Sequence, residues 1–230
     1  MKRILLALLI YSFLPDSIYG SIDWKLFMTK QDMIWTRLPQ TWYEAPFMGN
    51  GNMGTYLCEE PGKNAIRIDV GNNMVHDYRK EDVTIYGRGR LLIGYFLLQP
   101  VGEITTGELK LDLWNAEATG TIHTNKGEIK LRACVTSEHP YILVEAEGTG
   151  KERDFKWQFF PEKADSPRQL SAIQKKNKHF REDYISNPAP QVYDKDGISI
   201  CWQPLIDGGG TATAWKELLR TKLKNKFIKP

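Results

Sequence analysis

Apolar and polar side chains alternate along much of this chain. Leu109-Lys110-Leu111-Asp112-Leu113, Ile129-Lys130-Leu131-Arg132-Ala133 and Phe155-Lys156-Trp157-Gln158-Phe159 each switch character at every residue. A period of two puts the apolar side chains on one face and the charged ones on the other, as in a half-buried antiparallel strand. Further strands are expected over Thr55–Cys58, Ala65–Val70, Leu91–Leu98, Thr119–Thr124, Tyr141–Glu147 and Gly197–Gln203. Turn residues separate them: Asn125-Lys126-Gly127 joins two strands in a short hairpin, and Asp194-Lys195-Asp196-Gly197 opens another. Many short strands at this spacing predict an all-β antiparallel sandwich. Between Lys163 and Arg181 the alternation lapses into a polar stretch with some helical character, an excursion from the sheet.

The two ends depart from the pattern. Lys2 and Arg3 precede the apolar run Ile4–Tyr11, Pro15 and Asp16 interrupt it, and Gly20-Ser21 offers a cleavage point. This is the layout of a secretory signal peptide, and the run is too short to cross a bilayer as a helix. Residues 1–20 are therefore expected to be removed on export to a periplasmic or extracellular location. At the other end Trp215–Arg220 could start a helix, and from Lys216 onward six basic residues face the single acid Glu217. Residues 216–230 read as a solvated basic tail. The intervening residues, 21–215, form the predicted sandwich domain.

Composition narrows the partners. The 230 residues carry 31 Lys+Arg against 28 Asp+Glu, a formal charge of +3, and loss of Lys2, Arg3 and Asp16 lowers it to +2. Near balance gives no basis for nucleic-acid binding, which requires a concentrated basic surface. Cys58, Cys134 and Cys201 lie far apart in strand-like stretches and read as buried thiols or one incidental bridge. His76, His123, His139 and His179 are scattered, so no metal site and no cofactor are expected.

Familiar catalytic motifs fail on context. Gly49-Asn50-Gly51-Asn52-Met53-Gly54 matches the spacing of a dinucleotide fingerprint, but a strand rather than a helix is predicted after it. Gly208-Gly209-Gly210 lacks the Lys-Ser/Thr of a phosphate loop, and Asp194-Lys195-Asp196-Gly197 lacks the closing Glu of a calcium loop. No nucleophile elbow is present. The paired acids Glu59-Glu60, Glu81-Asp82 and Glu182-Asp183 are sequence neighbours, which point to opposite faces of a strand.

Trp35, Trp42 and Tyr43 lead directly into Glu44-Ala45-Pro46-Phe47-Met48 and the glycine-rich turn. Aromatic faces beside amides and carboxylates suit sugars, whose apolar ring face stacks while the hydroxyls take polar partners. The competing assignment places these tryptophans in the core. Trp42, Glu44, Asn50 and Asn52 are the candidate sugar-contact residues, and a purely structural turn is the alternative.

The stretch from Trp42 to Thr55, WYEAPFMGNGNMGT, resembles the opening motif of glycoside hydrolase family 95, which contains exo-acting α-L-fucosidases and related α-L-galactosidases. Ile66–Asn73 is similar to the strand and polar turn that follow there. Gly107–Leu113, Ala116–Thr121 and Ile129–Val135 continue the order of that family's N-terminal β-sandwich of super-sandwich type, and the likeness covers about residues 35–215. Ala45-Pro46-Phe47-Met48 replaces the usual Leu-Pro, and Asn52-Met53 replaces the commoner Arg-Leu, which marks a divergent branch.

The resemblance implies an N-terminal accessory domain of an exported hydrolase acting on α-linked L-fucosyl or related sugars. The family's catalytic groups lie in a helical barrel that follows the sandwich, so no catalytic residue is assigned here, and the chain is expected to be a truncated or frame-shifted form. A free-standing carbohydrate-binding module, with aromatics lined up on one sheet face, and a non-catalytic structural domain of the cell envelope are the alternatives.

Overall fold

A computed structural model describes residues 22–76, 90–165, 186–195 and 198–205. The expected signal peptide, the basic tail and most of the polar excursion at 163–181 lie outside the described residues. A short helix α1 (Trp24–Thr29) comes first, with its N-terminus capped by Asp23, whose Oδ1 accepts from the Leu26 N–H at 2.9 Å. The strands that follow are β1 (Met33–Trp35), β2 (Phe47–Gly49), β3 (Met53–Glu59), β4 (Ile66–Asn72), β5 (Gly94–Gln99), β6 (Ile104–Asp112), β7 (Glu117–Thr124), β8 (Gly127–Val135), β9 (Ile142–Gly148), β10 (Lys156–Pro161), β11 (Gln191–Lys195) and β12 (Ile198–Trp202).

Ten of these strands build two five-stranded antiparallel sheets, in the orders β1-β6-β7-β8-β9 and β10-β5-β4-β3-β2. After β1 the chain crosses to the second sheet and runs a meander from β2 to β5. It then returns for the meander β6 to β9 and crosses again so that β10 pairs with β5. The predicted all-β sandwich is therefore the observed architecture. Its core joins Leu57, Ile66, Ile68 and Leu98 of the second sheet to Leu109, Leu111, Ile122, Ile129, Leu131 and Ala133 of the first. Alternation decides the facing: Leu109 and Leu111 are buried while Lys110 between them is exposed, and β8 behaves likewise. At Gly120 a Cβ would approach the Leu109 Cδ2 to 2.3 Å, so glycine is what lets these strands pair closely.

The Asn125-Lys126 hairpin forms as expected between the paired residues Thr124 and Gly127, with Gly127 at a φ of 153°. Beneath it the fully buried Glu152 ties three segments together. Its carboxylate accepts from the Val101 N–H (2.8 Å), the Gly102 N–H (2.7 Å) and the Thr124 hydroxyl (2.6 Å). Burial pushes the Glu152 pKa up, but those three donors and the Lys126 charge outweigh it, and the net shift is downward.

The second predicted hairpin also forms, as β11 paired with β12, but as a two-stranded sheet separate from both layers. Leu91–Leu98 was expected to be strand throughout, and strand begins only at Gly94. The three cysteines are free thiols, with Cys58 buried. Among the described residues no helix is long and apolar enough to cross a membrane.

Candidate functional site

The Gly-Asn-Gly segment is the β2–β3 turn. Asn50 organises it: its Oδ1 accepts from the backbone N–H groups of Asn52 (2.9 Å) and Met53 (2.8 Å). Its Nδ2 donates to the carbonyls of Thr136 (2.8 Å) and His139 (3.3 Å), which follow β8 in the other sheet. The Asn52 and Met53 amides are thus occupied by the turn's own side chain rather than left free for a phosphate.

The four sequence-derived candidates separate in space. Asn50 is the clamp just described. The Glu44 carboxylate pairs with Arg37 at 3.1 Å, and the Glu44 carbonyl accepts from the Trp35 indole at 2.6 Å. Trp42 is 67% exposed and packs edge-on against Tyr43 at 5.7 Å, whereas Trp35 packs on the core. Assigning these tryptophans to the core therefore holds for Trp35 and fails for Trp42. Of the four candidates, Asn52 alone lines the cleft that the turn borders.

That cleft has a volume of about 420 Å³ and lies on the outer face of the second sheet, across β2, β3 and β4. Strand register explains its shape. Gly49 pairs with Gly54 and Gly54 with Gly71, a glycine row across three strands on which the Phe47 ring lies at Gly49 and Gly54. The next row on the same face is Phe47, Tyr56, Asp69, Tyr95 and Phe160: Phe47 pairs with Tyr56, Asp69 with Tyr95 and Tyr95 with Phe160. Tyr56 falls opposite Asp69, between the Gly54–Gly71 and Leu57–Ile68 pairs of β3 and β4. Phe47, Tyr56 and Asp69 line the cleft together with Asn52, Asn72, Arg90, Leu91 and Leu92.

Behind this lining lies a charged network that the sequence reading did not single out. Arg67 grips Asp69 in a two-pronged pair (Nε–Oδ2 2.6 Å, one terminal nitrogen–Oδ1 3.0 Å) and also reaches Glu60 at 3.3 Å and Glu162 at 3.5 Å. Its guanidinium lies 3.7 Å from the Tyr95 ring centroid, and Tyr95 stacks on Phe160 at 5.4 Å. Lys63 sits 5.1 Å over the Phe160 ring. Burial raises the Glu162 pKa, with Arg67 opposing. Burial, and next the hydrogen bond to Asp69, raises the Tyr56 phenol well above its ordinary value, so the phenol keeps its proton. Thr55 fixes the strand locally by donating its hydroxyl to the Asp69 carbonyl at 2.7 Å.

The network presents one carboxylate held by Arg67 and one protonated phenol to the cleft. The signal available in the sequence was Arg67 and Asp69 at i and i+2, on one face of a strand. Their partners Tyr95 and Glu162 arrive only through strand register.

No protein-family model matches the chain, and no curated protein matches it in sequence. Fold and site together define an all-β sandwich with a mainly apolar cleft, lined by Phe47 and Tyr56, beside its glycine-rich turn.

Proposed function

We propose that this chain is the accessory β-sandwich domain of an exported family 95-type glycoside hydrolase, contacting α-linked L-fucosyl or related sugars without hydrolysing them. The observation that carries the reading is the position of the resemblance-bearing turn, which Asn50 ties to the opposite sheet and which borders a cleft walled by Phe47, Tyr56 and Asp69. A clamped turn holds a contact surface in place, as a domain set beside a catalytic barrel requires. The family's catalytic groups belong to that barrel. The carboxylates around Arg67 are tied into ion pairs, an arrangement that holds charge in place rather than shuttling protons. Export rests on the layout of residues 1–20.

The free-standing binding module has one observation in its favour, the aromatic row on a single sheet face. Arg67 covers Tyr95 and Lys63 covers Phe160, so the row is no flat stacking platform. Only its Phe47 end is open, at 66% exposure. Incubation of the purified chain with aryl α-L-fucoside and α-L-galactoside tests the reading. No release of the aryl group is expected, and turnover well above background would overturn the accessory role.

A further inference from the structure

We propose that the free edge of β9 is completed by the chain's own basic C-terminal segment, with Lys222–Ile228 adding a sixth strand to the first sheet and Phe227 entering the apolar groove beneath it. The inference stands apart from the carbohydrate reading.

The first sheet ends at β9, and no strand among the described residues pairs with its other side. At seven residues β9 is a long edge, whose outward amides and carbonyls are a template for a further strand. The inner face shows the same gap. β8 buries Ile129, Leu131 and Ala133, whereas the β9 residues that face the same way, Ile142, Val144 and Ala146, are only half-buried. In the second sheet Phe96 pairs with Ile68 and Trp157 with Leu98, so both point inward with those core residues. Yet they are 37% and 40% exposed. Ile142, Val144, Phe96 and Trp157, with Ile68 and Val70, line a groove of about 230 Å³ that has no polar side chain in it. A strand laid beside β9 covers that groove.

The edge also specifies a charge. β9 turns Leu143, Glu145 and Glu147 outward. On the β8 side Lys130 stands opposite Glu147 and Arg132 opposite Glu145, but Arg132 is divided between Glu145 (3.0 Å) and Glu117 (2.8 Å). The alternation of sign across the sheet therefore continues outward with a basic strand. A second copy of β9 fits poorly, because antiparallel pairing centred on the strand sets Glu145 opposite Glu145.

Lys222-Leu223-Lys224-Asn225-Lys226-Phe227-Ile228 supplies the complement. Laid antiparallel to β9 with Ile228 opposite Leu143, it sets Lys226 opposite Glu145 and Lys224 opposite Glu147 on the outer face. On the inner face the same register sets Phe227 opposite Val144, a residue of the groove. Asn225 falls opposite Ala146, which is not part of the groove lining, so its amide stays out of the apolar trough. Residues 206–222 extend to roughly 55–60 Å, against about 23 Å for a seven-residue strand, which is enough chain to pass β9 and turn back along it.

Amide hydrogen exchange of the full chain, read residue by residue by NMR, tests this. Alternate amides of β9 point away from β8, and these are expected to exchange slowly while light scattering shows a monomer. Lys224→Glu combined with Lys226→Glu, and separately Phe227→Ser, should each speed that exchange about tenfold, the scale of two cross-strand ion pairs or one buried aromatic. Lys224→Arg combined with Lys226→Arg should leave it unchanged. All these changes lie outside the sandwich core, so the β8 amides should stay protected in every variant. Free exchange of the outward β9 amides in the unmodified chain, or protection that the charge-reversed and Phe227→Ser variants both retain, would overturn the proposal. Protection that appears only in a dimer would overturn it in favour of a second copy.

Discussion

The Asn50 side-chain amide donates to the Thr136 carbonyl at 2.8 Å across 86 residues of sequence, pinning a turn of one sheet to the end of a strand in the other. Together with its bonds to Asn52, Met53 and His139, this makes one side chain both the template of the turn and a clamp between the layers.

Asn50→Ala removes all four bonds and should destabilise the domain by about 2–4 kcal/mol, taking a net ~1 kcal/mol per bond with allowance for exposure. Asn50→Asp keeps the acceptor that shapes the turn but loses the donor to Thr136, and should cost less, about 1–2 kcal/mol. Urea unfolding of the two variants checks the order. Equal stability of Asn50→Asp and wild type would mean that the clamp contributes nothing.

Glu152 makes a pH-dependent contribution. Its folded pKa lies below the unfolded value, so its stabilisation is complete above about pH 4.5 and is lost as pH falls through the folded pKa. Glu152→Gln should therefore lose about 1–3 kcal/mol at pH 7, because a buried donor meets the Val101 or Gly102 N–H. Its stability should also fall less steeply than wild type on acidification below pH 4.5. Parallel acid limbs for the two proteins would contradict this role.

Arg67 is the shared cation of Asp69, Glu60 and Glu162. Arg67→Met leaves three partly buried carboxylates facing one another and should cost about 1–3 kcal/mol at pH 7, less than for a fully buried pair because the site is partly hydrated. The loss should shrink as pH falls and the carboxylates take up protons, with Glu162 first because burial already raises its pKa. Unfolding curves at pH 5 and pH 7 measure the difference.

Thiol reactivity should sort the three cysteines. Burial pushes the Cys58 thiol up to about 11, and the side chain is 4% exposed. At pH 8 an aromatic disulfide reagent should modify Cys134 and Cys201 in the folded protein well before Cys58, and all three after denaturation. A count below three after denaturation would reveal a disulfide.

What was legible in the sequence was whatever obeyed local periodicity. Leu109-Lys110-Leu111 and Ile129–Ala133 announce their facing because each residue's burial depends on its own strand alone. β1 and β2 span three residues each, too short for a period to register, and they form because β6 and β3 offer partners. Composition marked the Trp-rich segment but could not separate Trp35, packed on the core, from the exposed Trp42. Asn50 and Asn52 stand out in the sequence because their turn is locally unusual. Tyr56, Asp69 and Arg67 do not, because the row that joins them to Tyr95 and Phe160 is written in register between strands.

The central claim is a sandwich that contacts sugar without cleaving it. Calorimetric titration of the purified chain with methyl α-L-fucopyranoside, with aryl α-L-fucoside hydrolysis followed on the same sample, tests it most directly. The account predicts saturable binding and no turnover above background. Turnover, or the absence of any binding heat, would contradict it.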